Sequence, residues 1–231
     1  MEISEHFREL RARLLVCFFL FIGISAAAFH FAPSLWDYAL RPLSGTGSIT
    51  LANLSPAEGI SANLILACFF GALIGAPVFL YHAYAFCAPA ISEADRANVP
   101  KFVVVSTVLF FAGMAFAYFL ALPFLFQFLA GYSTNAVPLW SQESYIAFFL
   151  RFEILFALVF QMPVLAAFLA RAGIADKNFP ARHFRIVIFL TALFSAIVTP
   201  PDILSLVWVA VPILALYAIG VLAYRIFWRE R

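Results

Sequence analysis

Apolar and polar positions divide the chain into six apolar runs, at about 14–32, 60–86, 102–130, 144–170, 186–199 and 203–224, each bounded by charge or by proline and glycine. Five of them reach the roughly 17–25 residues with which an α-helix crosses a hydrocarbon core about 30 Å thick. The fifth run is the exception. It offers about 14 residues before Pro200-Pro201, and at ~1.5 Å per residue it spans only ~21 Å. Pro77, Pro123, Pro163 and Pro212 lie inside the runs, and each removes a backbone donor, so kinked helices are expected. The pattern predicts an all-α membrane protein of six transmembrane helices.

Composition agrees with the pattern. Of 231 residues, 65% are hydrophobic, 18% aromatic and 11% charged, with a mean hydropathy of +1.00, too few polar residues to cover a soluble globule. The net charge is only +2, so a nucleic-acid partner has no support and the placement of charge carries the information. Arg8, Arg11 and Arg13 precede the first run. Arg96 and Lys101 follow the second, and Arg171, Lys177, Arg182 and Arg185 the fourth, while Arg225, Arg229 and Arg231 follow the sixth. The other side holds only Arg41, with Arg151 just inside the fourth run. Because basic residues resist translocation, both termini are expected in the cytoplasm. The first run has features of a cleaved signal peptide, but Glu2, Glu5 and Glu9 sit in the charged start and the run is long enough to span. It is read as helix one.

The polar segment before helix one has its own pattern. Ile3, Phe7, Leu10 and Leu14 make one helical stripe, with Ser4 placed to cap it. Glu9 lies off that stripe, so it is either part of a solvated helix face or a binding group for a cationic partner. The loop Ser92-Glu93-Ala94-Asp95-Arg96 is the second polar candidate on the same side. On the other side, the mixed segment 33–59 places Trp36 and Tyr38 as interfacial anchors around a glycine- and serine-rich turn.

Catalytic motifs are absent from the sequence, and no metal spacing is present. Cys17, Cys68 and Cys87 read as small packed residues, and His82 as a side chain hydrogen-bonded inside the bundle. At depth the polar residues are Arg151, Glu153 and Gln161, which are costly against lipid and therefore expected to face protein or water or, for the first two, to snorkel to the interface.

Taken together the motifs resemble the TatC family, the multispanning subunit of the twin-arginine protein translocase. The resemblance rests on His6-x-x-Glu9-Leu10-Arg11-x-Arg13-Leu14, Arg41-Pro42-Leu43, and Ala76-Pro77-Val78 with Leu80-Tyr81 and Ala85-Phe86. It continues through Ala88-Pro89-Ala90, Gly113 to Tyr118 with Pro123, Thr199-Pro200-Pro201-Asp202 and Ala210-x-Pro212. It implies a single membrane domain over residues 1–231, a kinked, concave six-helix bundle in the bacterial inner membrane. It also implies a receptor for the paired-arginine signal peptides of folded precursors, assembled in homo- and hetero-oligomers with TatA- and TatB-type single-span subunits, driven by the proton-motive force and without a cofactor. Mapped through the resemblance, the signal-peptide-binding residues are Glu9 and Asp95 with Leu10, Arg11 and Phe86, and the external loop and cap residues are Pro42, Glu58 and Asp202. Three positions depart from the family pattern: Asp95 replaces a glutamate, Gln161 the acidic residue before the helix-four proline, and Ala218 a glutamate late in helix six. Gln161 is expected near mid-depth on the concave face, with Glu153 as the alternative acidic group.

Two other classes stay open at this point. A secondary transporter would use Gln161, Glu153 and Arg151 as a polar site on helix four. A haem or quinone enzyme would need histidine pairs, and His30 and His82 are separated in depth.

Overall fold

The computed structural model describes residues 3–44, 49–90, 96–131, 139–173, 178–199 and 202–228. The described chain is mostly helical, as its apolar runs require, because backbone groups in hydrocarbon must find their partners within the same segment. The elements are α1 (Ile3–His30), α2 (Ala32–Leu40), a 3-10 turn (Arg41–Leu43), β1 (Thr50–Ala52), α3 (Glu58–Cys87), a second 3-10 turn (Ala88–Ala90) and α4 (Val99–Phe116). After a wide π-type turn (Ala117–Ala121) come α5 (Leu122–Gly131), β2 (Leu139–Ser141), α6 (Gln142–Val159), α7 (Met162–Ala172), α8 (Phe179–Arg182), α9 (Phe184–Val198) and α10 (Ile203–Phe227). Among the described residues, five helical stretches are long and apolar enough to cross a membrane: 6–30, 58–87, 99–131, 142–172 and 203–227. The remaining apolar helix is shorter.

The prolines act in three different ways. Pro77 and Pro212 stay inside α3 and α10. Pro123 cannot donate to the preceding turn, and the chain widens just ahead of it, where the Leu122 N–H bonds the Ala117 carbonyl five residues back. Pro163 separates α6 from α7. Gln161 N–H bonds the Leu158 carbonyl at 3.0 Å, and the helix restarts with Leu165 N–H on the Gln161 carbonyl at 2.9 Å. Gly173 closes α7 in the left-handed region at φ 63°, its N–H on Ala170 O, a conformation glycine adopts without strain. The short helix α9 has 15 residues, about 22 Å. It ends where Thr199 turns extended, its N–H and hydroxyl both bonding Ser195 O. Asp202 then caps α10 by accepting from Ser205 N–H at 2.7 Å.

The helices fall into two compact units, residues 1–82 with 115–154, and residues 83–114 with 155–231. The first is built on aromatic packing. Tyr38 stacks on Tyr118 at 4.4 Å between ring centres, with Phe149 and Phe70 edge-on, and Phe126, Phe149 and Phe152 are fully buried. Tyr118 donates to Tyr38 O at 2.9 Å and Tyr145 to Ala39 O at 2.5 Å, so α2 is tied down by two phenols. Tyr38 is half-buried, and its ring has a stacking partner, Tyr118, that the sequence pattern did not reveal. Trp36 also has a protein partner, donating to Asn63 Oδ1 at 2.6 Å. Ser4 falls inside the first turn of α1, which begins at Ile3. His82 differs as well. Its Nδ1 is buried with no hydrogen-bond partner among the described residues, and its ring packs edge-on against Tyr81.

In the second unit α7 packs along α10, and Tyr84, Val99, Val164, Phe168 and Ala172 form a buried cluster. Gly113 sits where α4 passes closest to its neighbour. A Cβ there would fall onto the Phe156 carbonyl and lie 3.0 Å from Ala157 Cα, so the approach requires glycine.

Candidate functional site

Glu9 lies in the second turn of α1, partly exposed, and its Oε1 accepts from Arg13 Nη2 at 2.6 Å and Nε at 3.0 Å. The i,i+4 spacing places the two side chains on one face. Both donors fall on the same oxygen, which leaves Oε2 without a partner among the described residues. Leu10 is half-buried and Arg11 exposed on the same turns. Phe86 is half-buried near the end of α3, in the second unit. Asp95 lies outside the described residues, as do Pro200 and Pro201.

The two helix-four residues have opposite environments. Gln161 is fully engaged: its Nε2 donates to Ser106 O at 3.2 Å and to Ala157 O at 3.3 Å, and its Oε1 accepts from the Ser106 hydroxyl, which also lies 3.4 Å from the Tyr84 hydroxyl. Its amide joins α4 to the break between α6 and α7, so little of it remains to recognise a substrate. Glu153 is 0% exposed, and neither carboxyl oxygen has a hydrogen-bond partner among the described residues. Burial, with the Glu153 carboxyl as the second cause, pushes the Tyr38 phenol up, so that phenol stays neutral. Arg151, two residues before Glu153, is exposed and forms no ion pair with it among the described residues.

Glu58 organises the loops at the other end of the first unit. It is the first residue of α3 and 4% exposed. Its Oε2 accepts from the N–H of Leu54 at 2.5 Å and of Ser55 at 3.1 Å, and its Oε1 from the Ser141 hydroxyl and from the Glu143 N–H at 3.1 Å. One carboxylate thus holds two loops beside a short parallel ladder that pairs Thr50 with Leu139, Leu51 with Trp140 and Ala52 with Ser141. The sequence offered Glu58 but hid its partners, because Ser141 and Glu143 lie more than eighty residues away. Pro42 is buried in the 3-10 turn after α2. Among the described residues no group of three or more His, Cys, Asp or Glu side chains could hold a metal, and Cys17, Cys68 and Cys87 are free thiols.

The sequence profile described as "Sec-independent protein translocase protein (TatC)" matches residues 5–212. The chain is similar to the Sec-independent protein translocase protein TatC of Aquifex aeolicus (strain VF5), at 32% identity over all of this chain and 98% of that one. It is also similar to TatCy of Bacillus subtilis (strain 168), at 32% identity over all of this chain and 91% of that one. A crystal structure described as the twin arginine translocase receptor TatC superimposes with a TM-score of 0.86 and 30% identity, covering 96% of this chain and 99% of that one. The match runs through α1 with its Glu9–Arg13 pair, through the helix-four break and into α10, and on that evidence this chain belongs to the TatC family of Sec-independent protein translocase proteins.

Proposed function

We propose that this chain is the receptor and core subunit of a twin-arginine translocase, binding the paired-arginine signal peptide of folded precursors. In this reading it has six spans in one membrane domain, with α9 as the short fifth, and both termini lie in the cytoplasm of a bacterium. TatA- and TatB-type single-span subunits complete a homo- and hetero-oligomeric complex that uses the proton-motive force and no cofactor.

The observation that carries the reading is the state of Glu9. Its carboxylate stands at the polar start of a long apolar helix, partly exposed, with Oε1 shared by two Arg13 donors and Oε2 unpartnered among the described residues. A guanidinium presents its donors as a planar fork that a lysine ammonium cannot copy, so Glu9 selects arginine. Asp95 takes the second arginine, with one methylene less reach than a glutamate. Leu10 and Phe86 offer apolar contact to the segment that follows the arginines, and Arg11 orients its approach. The transporter alternative loses its main support, because the Gln161 amide is spent on Ser106 and Ala157.

Crosslinking a twin-arginine peptide to the wild type, Glu9→Gln and Asp95→Asn tests the assignment. Each variant should lose binding worth about 1–3 kcal/mol, the range for a charge-assisted hydrogen bond. Equal yields from all three proteins would refute it.

A further inference from the structure

The second unit contains a cavity of about 460 Å³ between α4, α7 and α10, lined by none of the residues assigned above to the signal peptide. Its walls are Phe102, Val105, Leu109, Val164 and Ala167, with Pro163 also among its lining residues. Its polar groups gather at one end. Asn98 and Lys101 stand at the start of α4, where the Lys101 amine donates to Asn98 Oδ1 at 3.1 Å. Arg171 comes from the last turn of α7, its guanidinium 5.4 Å from the centre of the Phe227 ring at the end of α10. Two cations therefore share one mouth, and among the described residues no acidic side chain lines the cavity.

The length of the groove discriminates between occupants. From Lys101 to Leu109 on α4, and from Arg171 back to Pro163 on α7, are eight residues each, or about 12 Å of helix. One leaflet of a hydrocarbon core about 30 Å thick measures about 15 Å. A partner helix would touch such a groove over only about two turns, whereas a single acyl chain fills it from mouth to floor. Val105, on the wall, is half exposed, so a molecule already in the bilayer can enter from the side.

We infer that this groove binds one anionic phospholipid, the acyl chain lying between α4, α7 and α10 and the headgroup phosphate meeting Lys101, Arg171 and Asn98 at the mouth. The mouth selects by charge and the groove by chain. The inference does not depend on the translocase reading, because it concerns lipid retention alone.

The full chain, purified in detergent and stripped of lipid, is titrated with phosphatidylglycerol, with phosphatidylcholine and with glycerol phosphate, and bound lipid is counted by native mass spectrometry. Phosphatidylglycerol should be retained in preference to phosphatidylcholine, and glycerol phosphate should not bind. Lys101→Gln and Arg171→Gln should each reduce that preference about fivefold, the effect of one basic side chain near an anionic headgroup. Val105→Trp, which fills the groove and keeps both charges, should lower retention of both lipids. Lys101 is exposed, so its substitution leaves the fold intact even if Arg171→Gln loosens the Phe227 contact. Equal retention of the two lipids, glycerol phosphate binding as well as phosphatidylglycerol, or an unchanged preference in Lys101→Gln would each overturn the proposal.

Discussion

In the proposed receptor reading, Arg13, which pairs with Glu9 at 2.6 Å, competes with the incoming signal for that carboxylate. An i,i+4 ion pair at a helix surface contributes about 0.3–0.5 kcal/mol, so Arg13→Gln should strengthen twin-arginine peptide binding about twofold. Isothermal titration of the purified protein measures this, and weaker binding would mean that Arg13 helps to hold the peptide. Glu153 presents the opposite situation, a buried carboxyl with no partner for either oxygen among the described residues. Unsatisfied buried polar groups cost about 1–3 kcal/mol. Glu153→Leu should therefore raise thermal stability by an amount in that range, and export should fall if the carboxyl is kept for function. A stabilised variant with full export would make Glu153 a tolerated defect. Gln161→Leu should lose a similar 1–3 kcal/mol, since it strands the Ser106 hydroxyl and two carbonyls. Both residues were visible in the sequence as polar positions at depth. Which one was satisfied was not visible, because Ser106 lies fifty-five residues from Gln161 and carries no signal of its own.

Among the elements, α9 was legible before any coordinate: the run ends at a proline pair, and the helix stops at Val198 with 15 residues. Its shortness should draw the bilayer thinner around it, at fractions of a kcal/mol per Å of mismatch. Inserting about five leucines before Thr199 should reduce export while peptide binding is kept, and undiminished export would show that the short span is incidental. The sequence reads segment 33–59 as a mixed external segment around a glycine- and serine-rich turn and assigns it no elements. Its described residues form α2, a 3-10 turn and β1, because Tyr118 and Tyr145 hydrogen-bond its backbone from far along the chain and Glu58 ties it to Ser141. Hydrophobic periodicity records which face a helix buries and says nothing of such long-range polar ties. The importance of Gly113 follows the same logic. A methyl group there meets the Phe156 carbonyl, so Gly113→Ala should cost about 1–3 kcal/mol by overpacking, measured as a lower melting temperature in detergent.

For the whole molecule, the arrangement of apolar runs was the strongest signal in the chain, and the family membership drawn from scattered motifs agrees with a profile match over residues 5–212. The twelve-to-two bias of basic residues argues for both ends in the cytoplasm, and accessibility of cysteines placed at each terminus in intact cells tests that orientation. The receptor reading makes the most direct demand. A strain whose only TatC-family protein is this chain, supplied with its single-span partners, should export a folded reporter carrying a twin-arginine signal. The same reporter with both arginines changed to lysine should stay in the cytoplasm. Export of the two reporters to the same extent, or of neither while the protein sits intact in the membrane, would contradict the account.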